Sequence, residues 1–258
     1  MSKPLLQVEQ LVKRFDGLTA TDRANIKIHA GEIHALIGPN GAGKTTLIHQ
    51  ISGTLKPDSG RILFDGAEIN KLAIHQRVAR GLARSYQITN TFPRLSVLDN
   101  LVLAVRARDG SSFGLWKSAR NEALTHEGAA AVADRVGLTR KLDCLAGSLA
   151  HGEQRQLEMG LALATKPKLL LLDEPMAGMG PDESERMVSL LQSLRGEVTM
   201  LLVEHDMEAV FRLADRISVL VFGHVIASGK PSAIRQDAAV QKAYLGDEEQ
   251  EADLECVA

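Results

Sequence analysis

Gly38-Pro39-Asn40-Gly41-Ala42-Gly43-Lys44-Thr45-Thr46 is the stretch on which the reading of this chain turns. It fits the phosphate-binding pattern G-x-x-x-x-G-K-[ST]. Its flanks agree: Glu32–Ile37 reads as a strand running into the glycines, and Lys44–Ser52 as a helix leaving them. Glycines let the backbone curl until several N–H groups converge on phosphate oxygens. The helix start adds the positive end of its dipole. Lys44 would supply a full charge to the β- and γ-phosphates, and the Thr45 hydroxyl is placed to ligate Mg²⁺. A chance glycine turn would not need both flanks.

Outward from this loop, strand and helix signals alternate. Leu6–Val12 and Asn25–His29 have alternating strand character. Leu55-Lys-Pro-Asp-Ser-Gly60 reads as a turn and Arg61–Phe64 as a short strand. From residue 96 to about 145 the chain is rich in Ala, Arg and Leu, is interrupted by Asp109–Gly114, and reads as a helical insert. Strands return at Lys168–Asp173, Val198–Val203 and Ile217–Val221, with helices over 181–195 and 207–214. This order predicts an α/β fold around a mostly parallel sheet.

The bulk numbers set limits. The 258 residues are 45% hydrophobic and 24% charged but only 3% aromatic, so the core must be aliphatic. Six acidic residues and no basic one fall in Asp247–Ala258; without them the net charge of −2 becomes +4 over 1–246. That small charge argues against a nucleic-acid partner, which would need a strong basic stripe. The 247–258 tail reads as solvated and disordered. Cys144 and Cys256 suggest neither a disulfide framework nor a metal site. Met1-Ser-Lys-Pro4 opens no signal peptide, and no apolar run approaches the ~20 residues of a membrane helix. The chain is expected to be soluble and cytoplasmic by itself.

Two further motifs carry chemistry. Lys168-Leu-Leu-Leu-Leu-Asp173-Glu174-Pro175 is an apolar strand ending in paired carboxylates. Asp173 would hold Mg²⁺ through its water shell, and Glu174 would orient and deprotonate an attacking water. A strand followed by a charged turn explains one carboxylate more easily than two. Ser148-Leu149-Ala150-His151-Gly152-Glu153-Gln154-Arg155-Gln156 begins a helix about nineteen residues before that strand. With the later Val203-Glu-His205-Asp-Met207, these motifs in this order resemble the ABC ATPases over essentially residues 1–246.

The resemblance implies a P-loop NTPase (RecA-like) core in a single cassette over 1–246, an N-terminal antiparallel β subdomain and a helical insert at about 96–150. It implies ATP and Mg²⁺ as cofactors and hydrolysis as the activity. Phe15, which precedes Gly38 by 23 residues, matches the aromatic that stacks on adenine, although it could equally be an ordinary strand aromatic. Gln87, in Ser85-Tyr-Gln-Ile-Thr-Asn-Thr-Phe92, matches a glutamine that touches Mg²⁺ and water and signals to the transport partner; a generic polar loop residue is the alternative. His205 matches the histidine that contacts the γ-phosphate. Met176-Ala-Gly-Met-Gly-Pro181 matches a loop crossing the interface between two cassettes. In such a pair, Leu149, Ala150, His151, Gly152 and Glu153 would cap the nucleotide held by the other copy.

Four positions depart from the family pattern. Ala150 replaces the serine of Leu-Ser-Gly-Gly-Gln, His151 a glycine and Glu153 the glutamine, while Gly180 stands where the interface loop usually has Asp or Asn. Losing the serine's bond to phosphate would cost roughly 1.5–3 kcal/mol.

The signature segment, Ala177–Pro181 and the ending Ala243-Tyr-Leu-Gly246 resemble the ATPases of bacterial branched-chain amino-acid importers, as does the stretch around Phe113-Gly-Leu-Trp116. That implies a second ATPase, membrane permeases and, indirectly, a periplasmic binding protein as partners, with the chain at the cytoplasmic face of the inner membrane. Uptake of urea or other amides stays open. Lipopolysaccharide-export ATPases share the Tyr-Leu-Gly ending but keep Leu-Ser-Gly-Gly. A soluble ABC ATPase of DNA repair or translation would carry two cassettes or a coiled-coil insertion. A P-loop kinase leaves Glu174 and the signature helix unexplained.

Overall fold

The computed structural model describes residues 3–85, 91–108 and 119–243. Gln87, the Phe113–Trp116 stretch, Tyr244-Leu245-Gly246, Cys256 and the acidic tail therefore lie outside the described residues. In chain order, the first elements are β1 (Leu6–Phe15), β2 (Leu18–Ile28), β3 (Ile33–Ile37), α1 (Lys44–Ser52), β4 (Ser59–Phe64) and β5 (Ala67–Glu68). There follow α2 (Ile74–Ala79), β6 (Leu82–Arg84), α3 (Val97–Arg108), α4 (Ala119–Arg135), α5 (His151–Ala164) and β7 (Leu169–Asp173). The last are α6 (Pro181–Ser193), β8 (Thr199–Val203), α7 (Met207–Leu213), β9 (Arg216–Val221), β10 (His224–Gly229) and α8 (Pro231–Arg235). The described residues within 3–77 and 195–243 form one compact unit, and those within 78–194 form a second.

In the first unit β3 pairs in parallel with both β8 and β9, while β10 closes the edge antiparallel to β9. All five residues of β3 and of β8 are buried, as a parallel strand covered on both faces requires. His34 is the exception in chemistry but not in burial: its ring nitrogens meet Ser218 Oγ at 2.8 Å and Glu32 Oε1 at 3.1 Å. Ala35, Ile37, Ile217 and Val219 of the sheet pack with Val210 of α7 and Ile234 of α8. A separate antiparallel sheet, in the order β2-β1-β4-β5, forms the expected N-terminal β subdomain.

Helix α1 is fixed at both ends. Gly43 and Gly53 bracket it in left-handed backbone, and Gly53 N–H closes on His49 O. The guanidinium of Arg77, fully buried, donates to Gln50 O at 2.9 Å and Ile51 O at 2.7 Å, placing a cation on the negative end of the helix. Buried Gln50 accepts from Thr21 Oγ1 of β2 at 3.0 Å, so the helix is also tied to the antiparallel sheet.

In the second unit β6 and β7 pair in parallel, and every residue of β7 is buried. Each of its four leucines contributes about 1.5–3 kcal/mol by leaving water. The helical insert is α3 and α4 packed on α5. Gly160 allows the close approach, since a Cβ there would lie 3.1 Å from Leu101 and 3.3 Å from Val136. Ser96 and Asp99 cap α3 reciprocally, through Asp99 N–H to Ser96 Oγ at 3.0 Å and Ser96 Oγ to Asp99 Oδ2 at 2.6 Å.

Candidate functional site

Within the first unit, the phosphate loop is built by close approach as much as by backbone freedom. Gly38, Gly41 and Gly43 have φ of 154°, 75° and 101°. A Cβ on Gly38 would fall 2.0 Å from Leu220 O, and one on Gly43 would fall 2.1 Å from Ala20 O, distances no real side chain tolerates. The loop thus lies directly on β2 and β9. It is pinned again from the β9–β10 turn, where Gly223 N–H donates to Ala42 O at 3.0 Å and Asp22 N–H to Gly223 O at 2.9 Å. Lys44 is 6% exposed, and its ammonium donates to Gly38 O at 2.6 Å and Pro39 O at 2.8 Å. Gly43 caps α1 without a side-chain acceptor. Thr45 stands exposed in the first turn, with Thr46 beside it and Pro39 and Asn40 in the loop before it. Left-handed glycines at a helix start, a fixed ammonium and an exposed hydroxyl make a loop suited to a polyphosphate.

Two other expected residues belong to the same unit. Phe15 ends β1 and is 44% exposed. His205 is the second residue past β8 and is exposed; its N–H donates to the buried Glu204 carboxylate at 3.2 Å. Asp206 then caps α7 by accepting from Ala209 N–H at 3.1 Å.

The second unit carries the paired carboxylates. Asp173 is the last residue of β7 and only 4% exposed, and Arg84 Nη2 of β6 donates to its Oδ2 at 3.1 Å. Arg84 is a functional candidate that reading the sequence missed; its signal was a charge closing the short apolar run Leu82-Ala83. Glu174 is partly buried with φ 50°, left-handed backbone that costs a non-glycine residue about 1–2 kcal/mol. That turn breaks the strand alternation that would otherwise send the two carboxylates to opposite faces. Among the described residues no group of three His, Cys, Asp or Glu side chains could hold a metal ion by protein ligands alone. A few hard oxygens with the remaining positions left to phosphate and water is how Mg²⁺ is usually held, and the Asp173 carboxylate is a donor of that kind.

The signature segment and the loop after Glu174 meet within this unit. Leu149 is buried, and Ala150 precedes the first residue of α5 in extended backbone. Ala150 offers no side-chain acceptor to the helix start, but its N–H donates to Glu153 Oε2 at 3.1 Å. Burial raises the Glu153 carboxyl, yet the Lys141 ammonium and the Ala150 N–H outweigh it and hold the group below the usual carboxylate value. Gly180 repeats the device on α6, donating to Glu183 Oε2 at 3.3 Å. Gly152 lies against that same glutamate, for a Cβ there would sit 2.4 Å from Glu183 Oε1. The exposed His151 reaches Gly178, whose Cβ would meet its ring at 3.5 Å. Ala150, Gly152, Glu153, Met179 and Glu183 line a small cavity of about 190 Å³.

Comparison with known proteins agrees with these features. The ABC transporter family matches residues 21–177, and a branched-chain amino acid ATP-binding cassette transporter family matches residues 224–250. The chain is 39% identical over 254 residues to the high-affinity branched-chain amino acid transport ATP-binding protein BraF of Pseudomonas aeruginosa, covering 96% of this chain and 100% of that protein. Identity is also 39% with LivG of Escherichia coli, at the same coverage, and 33% with the lipopolysaccharide export ATP-binding protein LptB of Escherichia coli, covering 94% and 98%. Among solved structures, the ADP conformation of MJ1267, an ATP-binding cassette of an ABC transporter, superposes with a TM-score of 0.80 at 28% identity over 95% of this chain and all of that one. With the phosphate loop, the carboxylate-tipped strand and the signature helix in these positions, the chain belongs to the ABC transporter family as one of its ATP-hydrolysing P-loop cassettes.

Proposed function

We propose that this cassette drives a membrane importer of branched-chain amino acids. The observation that carries the reading is the match of residues 224–250 to the branched-chain amino acid cassette family, a segment outside the general cassette match. The higher identity to BraF and LivG than to LptB supports it over lipopolysaccharide export. No described helix is long and apolar enough to cross a membrane. The chain would therefore reach the membrane through permease subunits, on the cytoplasmic face, with a periplasmic binding protein delivering cargo on the other side.

In this mechanism the loop 38–46 binds the triphosphate of ATP, with Lys44 neutralising the β- and γ-phosphates and Phe15 stacking on adenine. Thr45 and Asp173 would hold Mg²⁺, with Gln87 as a further contact, and the bound ion would offset charge on the phosphoryl group being transferred. Glu174 takes the proton of the attacking water, and His205 contacts the γ-phosphate. A second cassette, a copy of this chain or a related ATPase, is bound head to tail, so that Leu149–Glu153 of each caps the nucleotide of the other.

The test is uptake of labelled leucine and valine by native cells carrying Glu174→Gln in place of the natural chain. High-affinity uptake of both should be lost while the purified variant still binds ATP. Unchanged uptake in cells that express the variant normally would sink the cargo assignment and leave the ATPase standing.

A further inference from the structure

The end of β1 outruns its neighbour on one side. Val12 pairs with Ser59, the first residue of β4, and beyond it Lys13, Arg14 and Phe15 pair with β2 alone. Asp58, the residue just before β4, takes over where the strand stops. Its own N–H donates to Val12 O at 2.9 Å, its Oδ2 accepts Arg14 N–H at 2.7 Å, and its Oδ1 accepts the Lys13 ammonium at 2.8 Å. The held ammonium lies 5.4 Å from the centroid of the Phe15 ring, within cation–π range. One carboxylate thereby fixes the backbone on which Phe15 stands and sets a cation against the ring.

We propose that Asp58 is a positioning residue for nucleotide binding, acting through Lys13 and Arg14 to hold Phe15 as a preformed platform for the base. The inference rests on the proposed role of Phe15 and adds the residue that makes the platform rigid. Two-stranded ribbon ends fray readily, and an aromatic at such an end must be ordered by the ligand at the ligand's expense unless the protein orders it beforehand. The Lys13 and Arg14 contacts draw the Asp58 carboxyl below its ordinary value, so it is ionised throughout the neutral range. An exposed ion pair alone is weak. The charge-assisted bond from the Arg14 N–H, at 2.7 Å, anchors the same carboxylate to the backbone as well.

The experiment is calorimetric titration of the full chain and of Asp58→Ala, Asp58→Asn and Phe15→Ala with Mg–ATP and, separately, with tripolyphosphate, which has no base. Phe15→Ala should weaken ATP binding by roughly 5- to 160-fold, the range of a lost base–aromatic stack. Asp58→Ala should weaken it about three- to tenfold, the effect of leaving one aromatic side chain to be ordered on binding. Asp58→Asn should lose less, because its amide oxygen still accepts the Arg14 N–H. None of the three should alter tripolyphosphate binding. Natural ATP affinity in Asp58→Ala alongside a weakened Phe15→Ala would overturn the inference and spare the platform. Unchanged ATP affinity in Phe15→Ala would remove the platform and the inference together. Equal loss of ATP and tripolyphosphate in Asp58→Ala would reduce Asp58 to a general structural role.

Discussion

Gly41 and Gly43 are two residues apart in the phosphate loop and both have positive φ, 75° and 101°, yet substituting alanine should affect them very differently. A Cβ on Gly41 meets nothing within 4 Å, so Gly41→Ala adds only the cost of a left-handed alanine, about 1–2 kcal/mol. A Cβ on Gly43 lands 2.1 Å from Ala20 O, a backbone atom of β2 that no rotamer can move. Carbon and oxygen need about 3.3 Å, so loop and strand must part by roughly 1 Å. Overpacking of that kind adds about 1–3 kcal/mol to the backbone strain, for a total of roughly 2–5 kcal/mol. At about 2–4 °C per kcal/mol for a chain of this size, Gly41→Ala should melt roughly 2–8 °C below the natural chain and Gly43→Ala roughly 4–20 °C below it. Thermal unfolding followed by circular dichroism, with both variants prepared in parallel, reads the difference directly. Equal melting points for the two variants would refute the argument that contact with Ala20, rather than φ, makes glycine obligatory at 43.

Two other substitutions test the second unit. Ala150→Ser supplies the missing acceptor at the start of α5 opposite the Glu153 already in place, and should stabilise the chain by about 1 kcal/mol with equal or higher ATPase activity; a fall in both melting point and turnover would show a site adapted to alanine. Glu158 is 6% exposed, and burial raises its carboxyl above the ordinary 4.5 against the opposing pull of Arg155. Because the folded state holds this proton more tightly than the unfolded one, its contribution falls as pH rises from 4.5 through the raised folded value. Urea midpoints at pH 5 and pH 7.5 should therefore show Glu158→Gln gaining on the natural chain at the higher pH, and a constant gap would contradict the raised carboxyl.

What the sequence made legible follows from how local each feature is. Helix α1 was expected over Lys44–Ser52 and forms over those residues, since glycines at 43 and 53 both take the left-handed turns that bound it. Strand β7 was plain from Leu169–Leu172, whose run is apolar because both faces are covered. β2 begins at Leu18, earlier than the expected Asn25, because its outer half is partly exposed and its polar residues hide the alternation. β6 has three residues, α2 six and α8 five, too short to show a period, and β10 is an edge strand with no fully buried residue. None of the four was expected. Of the candidate site, the motif residues could be named in advance, but their supports could not. Arg84 on Asp173, Glu183 against Gly152 and Asp58 beneath Lys13 and Arg14 are brought to their partners by tertiary structure.

The left-handed backbone at Glu174 bears on how such a chain changes over generations. Glycine and asparagine occupy that conformation with less strain than glutamate. Backbone strain thus favours other residues at this position, and under the role proposed for Glu174 pressure for turnover holds the carboxylate against it. A descendant relieved of pumping would be free to relieve that strain. It would keep the nucleotide cradle and lose the ability to split what the cradle holds, becoming a sensor of ATP rather than a consumer of it.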